Sequence, residues 1–259
     1  CSPSRAALLT GCYPNRIGMS GGALYPWSTK ALNPHEETIA SLLKKAGYTT
    51  AMLGKWHLGS VAPYLPVHYG FDQFYGIPYS HDMWPVDYDG TPVTDTSNRK
   101  SKYPTLPVYD GDKKVDSIRT LQEQARLTVT LTQKAEAFIA SHKQKPFFLY
   151  LAHPMPHVPL AASPAFAGKT GAGLFADVIS EIDWSIGRIM NVLDKTGLSK
   201  NTLIIVTSDN GPWLTFGNHA GSSGGLREGK GTAWDGGTRV PCFVRWPGKV
   251  EAGTVSSQL

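Results

Sequence analysis

Short apolar runs that alternate with amphipathic helical patterns are the feature that most limits the possible folds of this chain. Four runs are typical of buried strands: 48–57 (YTTAMLGKWH), 146–153 (PFFLYLAH), 202–211 (TLIIVTSDNG) and 239–246 (RVPCFVRW). Strands that are buried on both faces carry continuous apolar residues, because helices cover both sides of a parallel sheet. The pattern therefore predicts an α/β fold with a mostly parallel central sheet and helices on both faces.

Two short helices are predicted before the first strand by their end signals. The first covers 5–10, with Ser2 as N-cap, Pro3 at the first helical position and Gly11 after the last turn. The second is capped by Asn33, starts at Pro34 and ends at Gly47. One apolar face of the second helix is predicted to consist of Ile39, Leu42 and Leu43.

Two longer helices are predicted over 118–142 and 173–196, each just before an apolar run. The segment 81–117 separates them from the first βα unit and is rich in Pro, Asp, Tyr and Lys. It is too long for a plain connection, which favours a substrate-facing loop or hairpin.

Length, charge and cysteine content exclude several classes. The 259 residues fit one large α/β domain or two small ones, and the net charge of +5 comes without a block of like charges, which disfavours a nucleic-acid-binding stripe. No apolar run reaches the length that spans a membrane. Three cysteines (Cys1, Cys12 and Cys242) do not form a disulfide framework.

Polar residues follow each predicted strand, where doubly wound sheets bind their ligands. They are Lys55 and His57, then His153 and His157, then Asp209 and Asn210, and finally Arg227, Lys230 and Arg239 in a glycine-rich segment. Lys55 and His57 are two residues apart and would point the same way from an extended chain. Asp and Asn oxygens suit a hard cation, and the lysines and arginines suit an anion.

Each of these signals also has a structural interpretation. The sequence Asp-Asn-Gly is a common tight turn. Lys55 beside His57 is equally consistent with a solvated lysine next to a packed histidine, and Lys230 with a surface lysine on a flexible loop. At least one of His153 and His157 is expected to be structural. Their joint occurrence at successive strand ends nevertheless favours one site for an anion and a metal ion.

The chain begins with CSPSRAALLTG, and four explanations compete for Cys1. It is a core residue, an N-terminal nucleophile, a lipid-bearing residue, or a side chain that is converted after translation. An N-terminal nucleophile would leave the Lys, His and Asp-Asn pattern unexplained. A lipoprotein would have a flexible polar linker where this chain begins a helix.

The motifs resemble those of the type I sulfatases. CSPSRAALLTG is similar to the family signature, which is Cys-x-Pro-Ser-Arg followed by a short apolar run and Thr-Gly. GKWHLG, PHVP, SDNG and GKGTAWDGGTR match later family motifs in the same order, so the resemblance covers essentially the whole chain. GIPYSHD and PFFLYLAH are most similar to the branch of arylsulfatase A and N-acetylgalactosamine-6-sulfatase.

The resemblance implies an alkaline-phosphatase-like fold and a sulfuric ester hydrolase. It also implies that a formylglycine-generating enzyme reads the Cys-x-Pro-x-Arg motif and converts Cys1 to Cα-formylglycine, whose aldehyde hydrates to a geminal diol. One hydroxyl, polarised by Ca²⁺, attacks sulfur and displaces the alcohol; the second then loses its proton and expels sulfate. The substrate would be a sulfated small molecule or glycan, and the enzyme would be exported.

The resemblance further implies a role for each matching residue. Arg5 would hold the diol, His57 would be its base, and His157 with Lys230 would protonate the leaving alcohol. The positive end of the first helix would add to the anion site. The full expected set is Cys1, Arg5, Lys55, His57, His157 and Lys230 for catalysis, Ser80, Lys55, His157 and Lys230 for substrate, and Cys1, Asp209 and Asn210 for Ca²⁺, with Mg²⁺ less suitable.

One departure from the family is evident. The family's Ca²⁺ site also uses two aspartates from a first strand upstream of the cysteine, and this sequence has no residues there. We therefore expect residues 1–259 to be part of a sulfatase catalytic domain, without that strand and a C-terminal part, and impaired on their own. The alternatives are a phosphate or phosphonate monoester hydrolase and a non-catalytic protein that binds sulfated glycans.

The alcohol part of the substrate is not specified by these motifs. Both a sulfated carbohydrate and a small aryl sulfate fit them. Four residues in the segment 81–117 are candidates either for stacking on a sugar or aromatic ring or for local packing: Trp84, Tyr88, Lys102 and Tyr103.

Overall fold

A five-stranded mixed sheet is the centre of the computed structural model, which describes residues 1–256. The strands are β1 (Thr49–Lys55), β2 (Gln73–Ile77), β3 (Leu106–Asp110), β4 (Lys113–Ile118), β5 (Phe147–Ala152), β6 (Ile204–Thr207) and β7 (Cys242–Arg245). The central sheet has the order β4-β3-β2-β1-β5, and β6 pairs with β7 in a separate two-stranded sheet. The predicted α/β class is confirmed.

The parallel part of the sheet is the end formed by β2, β1 and β5. β1 lies between β2 and β5 and is parallel to both, whereas β3 and β4 form an antiparallel hairpin that extends the edge beyond β2. The hairpin occupies the second half of the segment 81–117, for which either a loop or a hairpin was predicted. β6 and β7 are antiparallel to each other. The sheet is therefore more mixed than the apolar runs alone predict.

Helices cover both faces of the sheet, as predicted. They are α1 (Ser2–Thr10), α2 (Ile39–Lys45), α3 (Leu121–Gln124), α4 (Leu127–Ser141), α5 (Leu174–Lys195) and α6 (Asp235–Thr238). Met52 of β1 packs in a core with Ala6 of α1 and Ala40 of α2. The next residue, Leu53, packs against Leu131 of α4 on the opposite face.

The first two helices begin elsewhere than predicted. Cys1 is the N-cap of α1, and the Ser2 hydroxyl instead accepts a hydrogen bond from the Leu24 backbone N–H at 3.1 Å. The second helix begins at Ile39 rather than at Pro34, because Thr38 and Ser41 form a reciprocal capping box.

The buried face of α2 also differs from the prediction. Ala40 is fully buried, whereas Ile39 and Leu42 are 41% and 50% exposed. The predicted face assumed that the helix begins five residues earlier. The later start leaves only two turns, and Ala40 is the residue that meets the sheet.

The long helix predicted over 118–142 is interrupted. Ile118 ends β4, and Thr120 caps the one-turn helix α3 through a capping box with Glu123. The main helix α4 starts only at Leu127. The helix predicted over 173–196 is confirmed as α5, and β2 is a strand that the sequence analysis did not predict.

A cleft of about 1780 Å³ separates β5 from β6. Its walls are mostly apolar side chains of β5, α5 and β6, and its lining extends to Cys1 and Asp209. Within residues 1–256, neither β5 nor β6 has a paired strand on the side that faces the cleft. In the same range no helix is long and apolar enough to cross a membrane, and all three cysteines are free thiols.

Candidate active site

The end of β1 is held unusually close to both neighbouring strands. Gly54 has φ +113°, and a Cβ at this position would lie 2.0 Å from the Ala152 carbonyl oxygen. On the other side, a Cβ at Gly76 would lie 2.0 Å from the Gly54 carbonyl oxygen. Only glycine fits such an approach at both positions. The next residue, Lys55, therefore leaves the sheet at a fixed point.

Cys1 lies where α1 begins and where Lys55 arrives. The Lys55 ammonium donates to Cys1 Sγ at 3.4 Å, and Sγ donates to Asn210 Oδ1, also at 3.4 Å. Arg5, one turn along α1, donates from Nε to Asp209 Oδ2 at 2.9 Å. Residues that are more than 200 positions apart in the chain thus form one cluster around the thiol.

Arg5 connects this cluster to β1. Its Nη1 donates to the Lys55 carbonyl oxygen while its Nε holds Asp209, and its side chain is 7% exposed. Burial raises the pKa of Asp209, but Arg5 and then Lys55 outweigh burial and hold the pKa below its usual range. Asp209 is therefore an anion at neutral pH.

Lys55 is charged although burial disfavours its charged form. Burial, followed by the charge of Arg5, lowers its pKa to about 8. The ammonium is still protonated at neutral pH, and it donates to Ser80 Oγ at 3.0 Å as well as to Cys1. A cation held this way is ready to bind an anion beside the thiol.

His57 is neutral and has one nitrogen available. Its Nε2 donates to the Leu24 carbonyl oxygen at 2.9 Å, and Nδ1 is buried without a hydrogen-bond partner among residues 1–256. Burial, followed by Lys55 and Arg5, lowers the pKa of His57 well below 6.5. Since a carbonyl only accepts, Nε2 carries the proton and Nδ1 keeps its lone pair. This arrangement suits a general base.

The extended backbone that was predicted to point Lys55 and His57 the same way does not continue to His57. His57 has φ 65°, in the left-handed region, so the chain turns after β1 instead of continuing as a strand. Both side chains are nevertheless buried at this end of β1. The structural interpretation of Lys55 as a solvated lysine is excluded by its 1% exposure.

A second group of residues lies beside the first. The rings of His157 and Trp213 are 5.6 Å apart, and the Lys230 ammonium lies 4.4 Å from the centre of the Trp213 ring. Burial, followed by Lys55, lowers the pKa of Lys230 to about 8. Ser80 lies next to both groups: it accepts from Lys55 at 3.0 Å, and it helps to lower the pKa of Asp82, whose Oδ1 is 3.8 Å from His157 Nδ1.

Several candidates from the strand ends have structural partners instead. His153 forms a 3.0 Å hydrogen bond with Ser185 of α5, and burial lowers its pKa to about 4, so it is the structural histidine of the pair. Arg227 lies 3.6 Å from the centre of the Trp234 ring. The described contacts give Arg239 only a backbone hydrogen bond to Asp235, at the end of α6.

The aromatic residues of the segment 81–117 mostly pack inside the protein. Trp84 is 3% exposed and donates to Gln124, and Tyr103 is 6% exposed and stacks on Trp27. Neither ring has a free face for a sugar. Tyr88 is half-buried against Phe216, and Lys102 is exposed. Ring stacking on a substrate is therefore excluded for Trp84 and Tyr103.

Asp209 and Asn210 offer oxygen atoms to a metal beside Cys1. A carboxylate and an amide oxygen are suitable in kind for Ca²⁺, which takes six to eight oxygen ligands. The described residues contain no group of three or more His, Cys, Asp or Glu side chains that could hold a metal ion. This chain thus fits such an ion in the type of its donors and supplies a minority of them.

Two residues of the site were not singled out from the sequence. Asp82 lies within the quoted motif GIPYSHD, but the motif gave no reason to separate it from its neighbours. Trp213 follows the Asp-Asn-Gly turn by two residues and contacts both His157 and Lys230. Only their contacts across the fold reveal them.

A family model described as Sulfatase matches residues 1–259. N-acetylgalactosamine-6-sulfatase of Mus musculus is 40% identical over 275 residues, which cover 100% of this chain and 50% of that protein. Arylsulfatase A of Homo sapiens is 40% identical over 268 residues, which cover 98% of this chain and 51% of that protein.

Solved structures agree with the fold. The PsFucS1 sulfatase from Pseudoalteromonas sp. has a TM-score of 0.85 at 31% identity, over 98% of this chain and 53% of that one. Ps i-CgsB in complex with k-i-k-neocarrahexaose has a TM-score of 0.80 at 32% identity, over 98% of this chain and 56% of that one. The chain spans about half the length of the relatives it matches.

Proposed function

The chain belongs to the sulfatase family, and on this premise we propose that it carries the catalytic centre of an enzyme that hydrolyses sulfate monoesters to an alcohol and inorganic sulfate. The observation that carries the proposal is the position of Cys1. It lies at the start of α1, with the Lys55 ammonium and the Asn210 amide oxygen both 3.4 Å from its sulfur.

We propose that Cys1 is converted to Cα-formylglycine by a formylglycine-generating enzyme that reads Pro3 and Arg5. The sulfur atom then marks the place of the oxygen atoms of the converted side chain. The hydrated aldehyde supplies an oxygen nucleophile and a second hydroxyl whose deprotonation releases sulfate. His57 is the base for this chemistry, because its Nδ1 lone pair is free and its Nε2–H is fixed by Leu24.

Sulfate binding falls to Lys55 and Lys230, whose ammonium groups are desolvated and remain charged at neutral pH. The N-terminus of α1 adds backbone N–H groups to the same anion site. Ser80 also stays a proposed sulfate contact. Its hydroxyl already accepts from Lys55, so its larger effect would be to orient Lys55.

The leaving alcohol receives its proton from His157, and Lys230 balances charge there. Both side chains contact Trp213, which fixes them on the same side of the site. Arg5 does not reach the alcohol. It holds Asp209 and the Lys55 carbonyl oxygen, and so maintains the geometry around Cys1.

We propose Ca²⁺ as the resident metal, with Mg²⁺ less suitable because it demands near-ideal octahedral geometry. Asp209, Asn210 and the converted Cys1 would hold it. When bound, the ion supplies positive charge that polarises the nucleophile and the sulfate. Ca²⁺ would need further oxygen ligands besides these three residues.

We propose a sulfated glycan or a small aryl sulfate as substrate, and an exported location. One structural relative was solved with a neocarrahexaose, and a curated relative is named for a sulfated amino sugar. The export proposal rests on the resemblance to the sulfatase family alone.

The proposal is tested by releasing sulfate from 4-nitrophenyl sulfate with the full-length protein, co-expressed with a formylglycine-generating enzyme and supplied with Ca²⁺. We expect Cys1→Ala to lower the rate by at least ~10³-fold, as for loss of other covalent nucleophiles. Cys12→Ala, which changes a thiol at the other end of α1, is the matched control and should keep full activity.

Two results would contradict this function. A preference for 4-nitrophenyl phosphate or a phosphonate monoester would assign the site to that class of reaction. Binding of a sulfated oligosaccharide without turnover, by protein shown to be converted at Cys1, would make the chain a sulfated-glycan-binding protein instead.

A further inference from the structure

We propose that Asp82 is a positioning residue that acts through His157, and that it prepares His157 to give a proton to the leaving alcohol. This inference rests on the proposed function, because it assigns a role within the same reaction. Asp82 follows β2 in the motif GIPYSHD, and it contacts the proposed acid rather than the nucleophile.

Asp82 is buried beside His157, and one of its carboxylate oxygens has no hydrogen-bond partner among the described residues. Its Oδ1 lies 3.8 Å from His157 Nδ1, and the two side chains are 10% and 13% exposed. Within residues 1–256, this oxygen is buried and has no hydrogen-bond partner. A buried carboxylate oxygen without a partner is costly, so a role in the reaction is a better explanation than packing.

The hydrogen bonds of His157 show why it needs such a partner. Its Nδ1 is 2.7 Å from the Val158 carbonyl oxygen, which can only accept, so Nδ1 carries a proton. In the neutral ring Nε2 then has a lone pair and no proton to give. Only the imidazolium form can act as an acid at Nε2.

The surroundings otherwise oppose the imidazolium. Burial, then Lys55, Lys230 and His81, lower the pKa of His157, whereas Asp82 raises it. Asp82 is itself an anion: burial raises its pKa, but His157, the neighbouring Ser80, His81 and Lys55 outweigh burial and hold the pKa below its usual range. The remaining cation nearby, Lys100, donates to the Asp82 backbone carbonyl at 3.4 Å.

Ser80 lies beside both Asp82 and a sulfate-binding lysine. Its hydroxyl accepts from Lys55 at 3.0 Å, and its side chain helps to lower the pKa of Asp82. Asp82, Ser80 and Lys55 are therefore neighbours on the side of the site that holds the proposed acid His157.

When the S–O bond to the alcohol breaks, the electron pair of that bond stays on the alcohol oxygen. The imidazolium of His157 then gives its Nε2 proton to this oxygen. His157 becomes neutral and takes a proton from solvent before the next turnover. Asp82 is unchanged throughout, and its charge lowers the cost of the protonated ring.

The test compares wild type and Asp82→Asn in the full-length converted protein on two substrates. Phenyl sulfate has a poor leaving group that needs the acid, and 4-nitrophenyl sulfate has a good one that does not. We expect kcat/KM to fall by ~10²-fold for phenyl sulfate, the scale of general acid catalysis, and by less than about threefold for 4-nitrophenyl sulfate.

The pH profile gives a second readout. The imidazolium is present below the pKa of His157, so activity on phenyl sulfate falls as pH rises through that pKa. Without Asp82 the pKa is lower, and the fall should move to lower pH. Asp82→Glu should restore part of the activity, and Asp89→Asn, an exposed carboxylate of the same segment, should change neither substrate.

A double mutant protects the test against a simple folding defect. In a His157→Ala background, Asp82→Asn should have little further effect if it acts through His157. Equal losses on both substrates with an unchanged pH profile would overturn the inference, as would a full additional loss in the double mutant. Failure of the proposed function would look different, because wild type would then hydrolyse neither sulfate.

Discussion

Arg5 is the residue on which the arrangement around Cys1 most depends. It holds an aspartate from the loop after β6 and a carbonyl from the end of β1, and it is almost fully buried. The sequence pattern placed it one turn beyond Cys1 but could not show that its main partner is Asp209, because that contact spans 204 positions.

We expect Arg5→Ala to reduce the free energy of unfolding by about 3 kcal/mol, because it leaves the carboxylate of Asp209 without its cation. Urea denaturation measures this. Arg188→Ala is the control. It removes an ion pair with Glu136 in which the Arg188 side chain is 47% exposed, and it should change the free energy of unfolding little. Equal losses of unfolding free energy in the two variants would contradict the prediction, because the buried Arg5–Asp209 pair would then stabilise the fold no more than the exposed pair.

The lowered pKa of Lys230 predicts that activity falls at alkaline pH. Its pKa of about 8, lowered by burial and then by Lys55, means that the cation is present below pH 8 and lost as pH rises through that value. We expect kcat/KM for a sulfate ester to fall over this range. Lys230→Arg keeps its charge at every accessible pH, so its fall should be shallower.

The fall is not expected to vanish in Lys230→Arg, because Lys55 has a pKa of about 8 as well. Rate profiles between pH 6 and pH 10, measured for both proteins on 4-nitrophenyl sulfate, give the comparison. Superimposable profiles would mean that the charge of Lys230 has no part in sulfate binding or in the departure of the alcohol.

Among the elements, α1 and α5 show how glycines act differently by position. Gly11 ends α1 with φ 68°, a conformation that costs other residues about 1 kcal/mol or more. Gly187 lies within α5, is exposed, and has open space where a Cβ would be. The same substitution should therefore have opposite effects in the two helices.

We expect Gly187→Ala to stabilise the protein by ~0.5–1 kcal/mol, because alanine loses less backbone entropy in a helix. Gly11→Ala should destabilise it by about 1 kcal/mol. Thermal melts of the two variants and wild type measure both effects. Destabilisation by Gly187→Ala would mean that α5 is not an ordinary helix at that position.

Elements with strong local signals were predictable, and those set by tertiary contacts were not. α5 and β1 follow from their apolar patterns. The start of α2 was not predictable, because Asn33 and Pro34 also have the residue types of a helix start, and the capping box of Thr38 is the one that forms. β2 includes Gln73 and Gly76 and so lacks a continuous apolar run, and it is a strand because it pairs with β1.

At the scale of the whole molecule, the site lies at one end of the cleft between β5 and β6. Cys1 and Asp209 line that end, and mostly apolar side chains line the rest. The resemblance to the sulfatases predicted that these two residues meet, and the structure brings them together. The contact of His157 with Trp213 and its proximity to Asp82 were not predictable, because they depend on how distant segments fold together.

The cleft also explains a difference from the predicted single sheet. Ile205 of β6 is 58% exposed, although the run from 202 to 211 has the composition of a buried strand. The sequence of β6 is thus suited to burial on both faces, and its surroundings within residues 1–256 do not provide it.

The conversion of Cys1 is the central claim, since the proposed nucleophile, metal site and sulfate release all depend on it. Mass spectrometry of the peptide that contains Cys1, taken from active full-length protein made in its native host, tests it directly. We predict the mass of the formylglycine aldehyde or its hydrate. An unmodified thiol at Cys1 in protein that releases sulfate at full rate would contradict the account.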